Sequence, residues 1–149
     1  IMKYKFAFYT NDYFNQIEQM ILDSYSWEYP IFGLSRFEFS TFLHPYFIDM
    51  HNVWNRTCGL WFDGKKLVGC AINEANDEGD AFFLFDCQSR SEDKELIEEM
   101  IFFAKTTMST VSDDGITRSV TLHIPQWNGT LKNIAEKSGF INNNWDDKF

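Results

Sequence analysis

The residues with the most chemical potential lie between positions 87 and 94, where Cys87-Gln88-Ser89-Arg90-Ser91-Glu92-Asp93-Lys94 joins two apolar segments. Before it, Ala81–Phe85 is a continuous apolar run, as expected of a strand buried on both faces. After it, Leu96, Ile97, Met100, Ile101, Ala104 and Met108 recur at helical spacing. A turn that leads into a helix offers backbone N–H groups and the positive end of the helix dipole, which is anion-binding chemistry. Arg90 and Lys94 add charge of the right sign. The same residues also read as a helix that caps itself, with Ser89 and Glu92 as a capping box and no ligand. Cys87 has no adjacent His that would make it a nucleophile and reads as a small hydrophobe. His123 stands at a strand end two residues before Pro125, and Asn128 stands near the start of the last helix, where an amide caps well.

The composition narrows the choice of ligand. Thirteen Lys and Arg against 22 Asp and Glu give 149 residues a net charge of -9. Neither a nucleic-acid backbone nor an anionic membrane surface suits such a chain, whereas a neutral or cationic small partner does. Cys58, Cys70 and Cys87 form no C-x-x-C pair, and His44, His51 and His123 show no metal-ligand spacing, so no metal site is expected. Free cysteines, no apolar run of about 18 residues and no leader-like N-terminus lead to the expectation of a cytoplasmic protein.

The elements that must position these residues can be read in order, and no linker or repeat interrupts them, so residues 1–149 read as one domain. Tyr4–Tyr9 is an aromatic-rich strand. Phe14, Ile17, Ile21 and Tyr25 mark a helix with Asn11 or Asp12 as its cap. Ser35-Arg36-Phe37-Glu38 is a capping box that starts a second helix, which ends before Pro45. Thr57–Phe62 and Lys66–Asn73 are strands joined at Asp63-Gly64. Ser119–Ile124 is a strand, Leu131, Ile134 and Ala135 share one face of a short helix, and Gly139 stops it. The tail INNNWDDKF begins a further strand without completing a hairpin. The order is β-α-α-β-β-β-α-β-α-β, a mixed α/β (α+β) domain.

That order resembles the GNAT superfamily of acetyl-CoA-dependent N-acetyltransferases. Asn128-Gly129-Thr130-Leu131-Lys132-Asn133-Ile134-Ala135-Glu136-Lys137-Ser138-Gly139-Phe140 is similar to the family's N-x-x-A-x-x-L-Y-x-x-x-G-F segment. Gln88 to Ile97 resembles [QR]-x-x-G-x-[GA]-x-x-L-L, which joins the fourth strand to the pyrophosphate-binding helix. The resemblance implies a mostly antiparallel sheet flanked by helices, with acetyl-CoA between a splayed fourth and fifth strand. Backbone groups of Phe83 and Phe85 would hold the pantetheine, Gln88, Arg90, Ser91 and Lys94 the pyrophosphate, and Asn128 the pantetheine or its own helix. The departures are equally specific: Ser91 and Asp93 replace the two glycines, Glu92 lies between them, and Ala135 stands where the family often has a Tyr acid. No catalytic residue is assigned, although Glu74, Glu78 and Asp80 flank the fourth strand where the family commonly places a base.

Two functions follow as expectations. One is acetyl transfer from acetyl-CoA to an amine of a small molecule or peptide. The other is a catalytically silent domain of the same fold, serving as a structural or interaction module beside a second such domain, as a homodimer, or within a longer chain. The ten aromatics between Tyr25 and Trp54, with Glu28 and Asp49 among them, are either an acceptor pocket or core.

Overall fold

A computed structural model describes residues 3–28, 30–40, 53–74 and 78–142, with the side chain of Phe39 excepted. Its centre is a five-stranded sheet of β1 (Lys5–Phe8), β2 (Gly59–Asp63), β3 (Lys66–Ile72), β4 (Asp80–Phe85) and a strand at Thr121–His123. Two short strands, β5 (Thr110–Val111) and β6 (Arg118–Ser119), pair with each other, so Thr121–His123 is β7. The order across the main sheet is β1-β2-β3-β4-β7. All neighbours are antiparallel except β4 and β7, which run parallel. The fold is therefore mixed α+β with a mostly antiparallel sheet.

Helices cover both faces. On one face α1 (Phe14–Ser24), α2 (Leu34–Ser40) and α3 (Trp54–Thr57) pack Ile17, Ile21, Phe37 and Trp54 against Leu60, Cys70, Phe82 and Leu84. On the other, α4 (Lys94–Phe103), extended by a π turn at Ala104–Met108, and α5 (Gly129–Lys137) pack Leu96, Met100, Leu131 and Ala135 against Trp61, Ala71, Phe83 and Phe85. Residues of β4 thus alternate between two cores, which is why its sequence is apolar without a break.

Strand β3 departs from simple alternation. Trp61 pairs with Gly69 and Phe62 with Leu67, so Val68 is an extra residue, a β-bulge. The bulge puts Val68 on the α4 side together with Ala71, and Gly69 lies there close to α4, where an added Cβ would stand 3.3 Å from Met100 Sδ.

Several local expectations are corrected. The first helix is entered through a 3-10 turn, Asn11–Tyr13, whose cap is Thr10 accepting from Asp12 N–H, because Thr10 is the extended residue there. Helix α2 begins one residue before Ser35, and its first N–H, from Leu34, donates to the Tyr25 hydroxyl (3.0 Å), so a distant phenol acts where a capping box was expected. Asp63 pairs with Lys66, which moves the hairpin loop to Gly64-Lys65, with Gly64 at φ +62°. The expected Ser119–Ile124 strand divides at Val120, one part joining β5 and the other β4. Gly139 at φ +101° stops α5, and Phe140–Asn142 form no strand; the rest of the tail lies outside the described residues.

Candidate functional site

The parallel pair β4–β7 is shorter than β4, so the two strands fork. Its ladder joins Asp80–Thr121, Ala81–Leu122 and Phe82–His123 and stops there, while β4 continues to Phe85 with β3 on its other side. Phe83 and Phe85, both expected at a ligand, therefore lie just past the fork, with buried side chains on the α4 side.

A polar group gathers at the fork. Asp80 and Phe82 are two residues apart and share the α1–α2 face, and His123 is in register with Phe82. His123 Nε2 lies 3.1 Å from Asp80 Oδ1, and its ring stacks on Phe82 at 4.3 Å and 4°. The Arg36 guanidinium lies 4.7 Å from the centre of the same Phe82 ring and pairs with Glu74. Glu78 pairs with Arg56 (3.5 Å). All three carboxylates that flank β4 are thus partnered, but only Asp80 meets a proton-transfer group.

Beyond the fork, the end of α1 passes over β4. Met20, Ile21, Ser24, Glu28, Leu84 and Phe85 line a tight crevice with no room for a water molecule. Burial raises the Glu28 carboxyl to about 7, with no cation beside it among the described residues. Trp27 packs into the α4–α5 core and meets Trp127 edge to face at 5.7 Å. Its indole N–H is buried without a partner among the described residues. Asn128 accepts from Leu131 N–H with its oxygen (3.1 Å), capping α5 as expected, and its buried amide nitrogen has no partner among the described residues.

The strand-to-helix turn is closed on itself. Ser91, Glu92 and Asp93 donate their backbone N–H groups to Cys87, Ser89 and Arg90 carbonyls. The Ser91 hydroxyl donates to Gln88 O at 2.5 Å. Arg90 bonds Asp63 (3.1 Å) and the Tyr4 hydroxyl (3.3 Å). Lys94 points to Glu98 (3.7 Å) and is largely exposed, as is Gln88. Helix α4 is capped, but by Asp93, whose carboxylate accepts from Leu96 N–H (3.2 Å) and from Tyr4, with Lys3 Nζ at 3.7 Å. The expected Ser89–Glu92 box is not formed, because Ser89 is itself helical at φ -64°, ψ -31° and Asp93 is the extended residue. Burial pushes the Asp93 carboxyl up, and the Tyr4 hydroxyl, the Leu96 N–H and Lys3 outweigh it, so the group sits below the usual range and stays ionised.

Other expected features separate. Phe32, Phe37 and Trp54 are fully buried core residues, Tyr25 is exposed, and Tyr29, Phe42, Tyr46, Phe47 and Asp49 lie outside the described residues. Cys87 meets Ser89 (3.2 Å) and, among the described residues, no His. Ala135 is buried. A second concavity of about 540 Å³ runs along the outside of α4 and α5 past Lys94, Lys105 and Lys137, away from the fork residues. Sequence reasoning placed Trp27 and Glu28 in the stretch that reads as either acceptor pocket or core, but did not single out the buried indole N–H or the desolvated carboxyl.

Comparison with protein-family models, curated proteins and solved structures found no match. Among the described residues no helix is long and apolar enough to cross a membrane.

Proposed function

We propose that the protein is an acyl-CoA-dependent N-acetyltransferase that moves acetyl from acetyl-CoA to a primary amine. The observation that carries this reading is the fork: a parallel β4–β7 ladder that ends at Phe82–His123 while β4 runs on to Phe85. A strand that outlasts its neighbour presents peptide groups to a ligand in the manner of strand addition, and the two amides of a pantetheine arm match them. The unpartnered Asn128 amide nitrogen is a buried donor in want of an acceptor, which favours a polar arm nearby.

The residues fit the arm better than the pyrophosphate. Arg90 and Ser91 are engaged within the turn, and Asp93 holds negative charge where an anion would be received. Lys94 and Gln88 remain available to phosphate oxygens. The chain's own part in the chemistry is to align the thioester along β4, hold the acceptor on the α1–α2 face and accept a proton there. Proximity of this kind supplies much of a transfer barrier even without a general acid in the place of Ala135.

The closed turn specifically favours the second reading, a catalytically silent domain of the same fold that serves as an interaction module. Thermal unfolding with saturating acetyl-CoA, CoA and ATP separates the two. Binding to the native state alone at about 100 Kd stabilises by ~2.7 kcal/mol, a shift of several degrees. A shift with acetyl-CoA and CoA but not ATP supports the transferase. No shift at millimolar ligand removes it and leaves the silent module.

A further inference from the structure

We propose that His123, oriented by Asp80, is the group that takes the proton from the acceptor amine at the fork. This rests on the acetyltransferase reading and adds to it the proton acceptor, with the primary amine arriving as its alkylammonium.

The placement is specific. His123 forms the last rung of the β4–β7 ladder, so its side chain stands where the two strands part. Two contacts fix its ring: the 3.1 Å approach of Nε2 to Asp80 and the 4.3 Å parallel stack on Phe82. With Nε2–H donating to the carboxylate, the lone pair is on Nδ1, the arrangement in which an acid orients an imidazole for proton transfer. The His123 and Asp80 side chains are 32% and 37% exposed, so a substrate can reach them. Among the described residues, the charged groups around the ring are Asp80 on β4 and, across Phe82, Arg36 of α2, itself paired with Glu74. Among the described residues, no unpaired cation at the ring therefore opposes an incoming ammonium, and the net charge of -9 draws one in.

The step balances as follows. Nδ1 takes one proton from R–NH3+ and returns it to solvent. The freed nitrogen lone pair forms the C–N bond to the thioester carbon, the C–S bond breaks, and the sulfur leaves with its electron pair. The second amine proton moves to that sulfur, giving the amide and the CoA thiol. A positioned base of this kind contributes about 10²–10⁴-fold.

The test uses the whole chain with acetyl-CoA and propylamine as probes and reads thiol release across pH, alongside the acetyl-CoA thermal shift. In the wild-type protein we expect both the shift and release above the uncatalysed rate. His123→Gln should keep the shift, lose about 100-fold or more in release, and lose the acid limb of the pH profile, while Asp80→Asn, which leaves the imidazole in place but unoriented, should lose less. No wild-type shift overturns the transferase reading, and this inference with it. A wild-type shift without release, or undiminished release from His123→Gln, overturns the inference alone. If His123→Gln loses the thermal shift, the side chain serves binding or folding and the proton role falls.

Discussion

Asp93→Asn puts the strongest demand on the account of the turn. Asn retains the N-cap geometry, so Leu96 N–H keeps an acceptor and helix α4 keeps its start. What changes is a unit of negative charge held in place by Tyr4 and by Lys3 at 3.7 Å. A phosphate received at the N-terminus of α4 would lie ~4 Å from that carboxylate, and at an effective dielectric of ~20 the repulsion is ~4 kcal/mol. Lys3 and the solvent reaching Asp93, 18% exposed, cancel part of this. A net ~1.5–3 kcal/mol remains, which corresponds to ~10–150-fold in Kd. Titration calorimetry with CoA at constant ionic strength should therefore show at least tenfold tighter binding for the variant, and the gap should shrink as salt is raised. Equal affinities, or weaker binding by Asp93→Asn, would refute the idea that this carboxylate guards the turn.

Glu28→Gln tests the crevice by its pH dependence. The folded-state carboxyl is raised to about 7 from 4.5, so the native protein is favoured by keeping the proton below pH 4.5 and loses that stability as pH rises through 7. Allowing for solvent screening of a half-buried group, the variant should be more stable by ~1–2 kcal/mol at pH 8 and no different near pH 4. Denaturant melts at the two pH values check this, and a difference independent of pH contradicts it. Gly59→Ala places a Cβ 2.6 Å from Phe6 Cε1 and 3.0 Å from Phe103 Cζ. Overpacking at this sheet–helix contact should cost ~1–3 kcal/mol, read as a lower midpoint at unchanged m-value. Asn128→Ala removes the α5 cap and should cost ~1 kcal/mol, with amide exchange faster first at Leu131.

Part of the site was legible because its signals are local. The apolar run at Ala81–Phe85, the stripe from Leu96 to Met108, Asn128 as a cap and Gly139 as a stop each depend on residues within a few positions of one another. Others were misread where the deciding partner is remote. Helix α2 starts at Leu34 because the Tyr25 hydroxyl meets its first N–H, and a pattern search sees only Ser35 and Glu38. Asp93 outcompetes Ser89 and Glu92 as the α4 cap because Tyr4, 89 residues away, and Lys3 hold its carboxylate in place.

The sequence by itself determined the periodicities, and with them the α+β class, the hairpin, the buried strand before an acidic turn and the helices on either side. These follow from alternation and helical spacing, which are properties of neighbouring residues. Only the tertiary structure decided that β7 lies parallel to β4 and leaves it after Phe82, that His123 thereby meets Asp80 across 43 positions of chain, and that Glu28 is desolvated over Leu84 and Phe85. Strand partners and burial depend on where distant apolar faces find cover, and that is a property of the whole packed molecule.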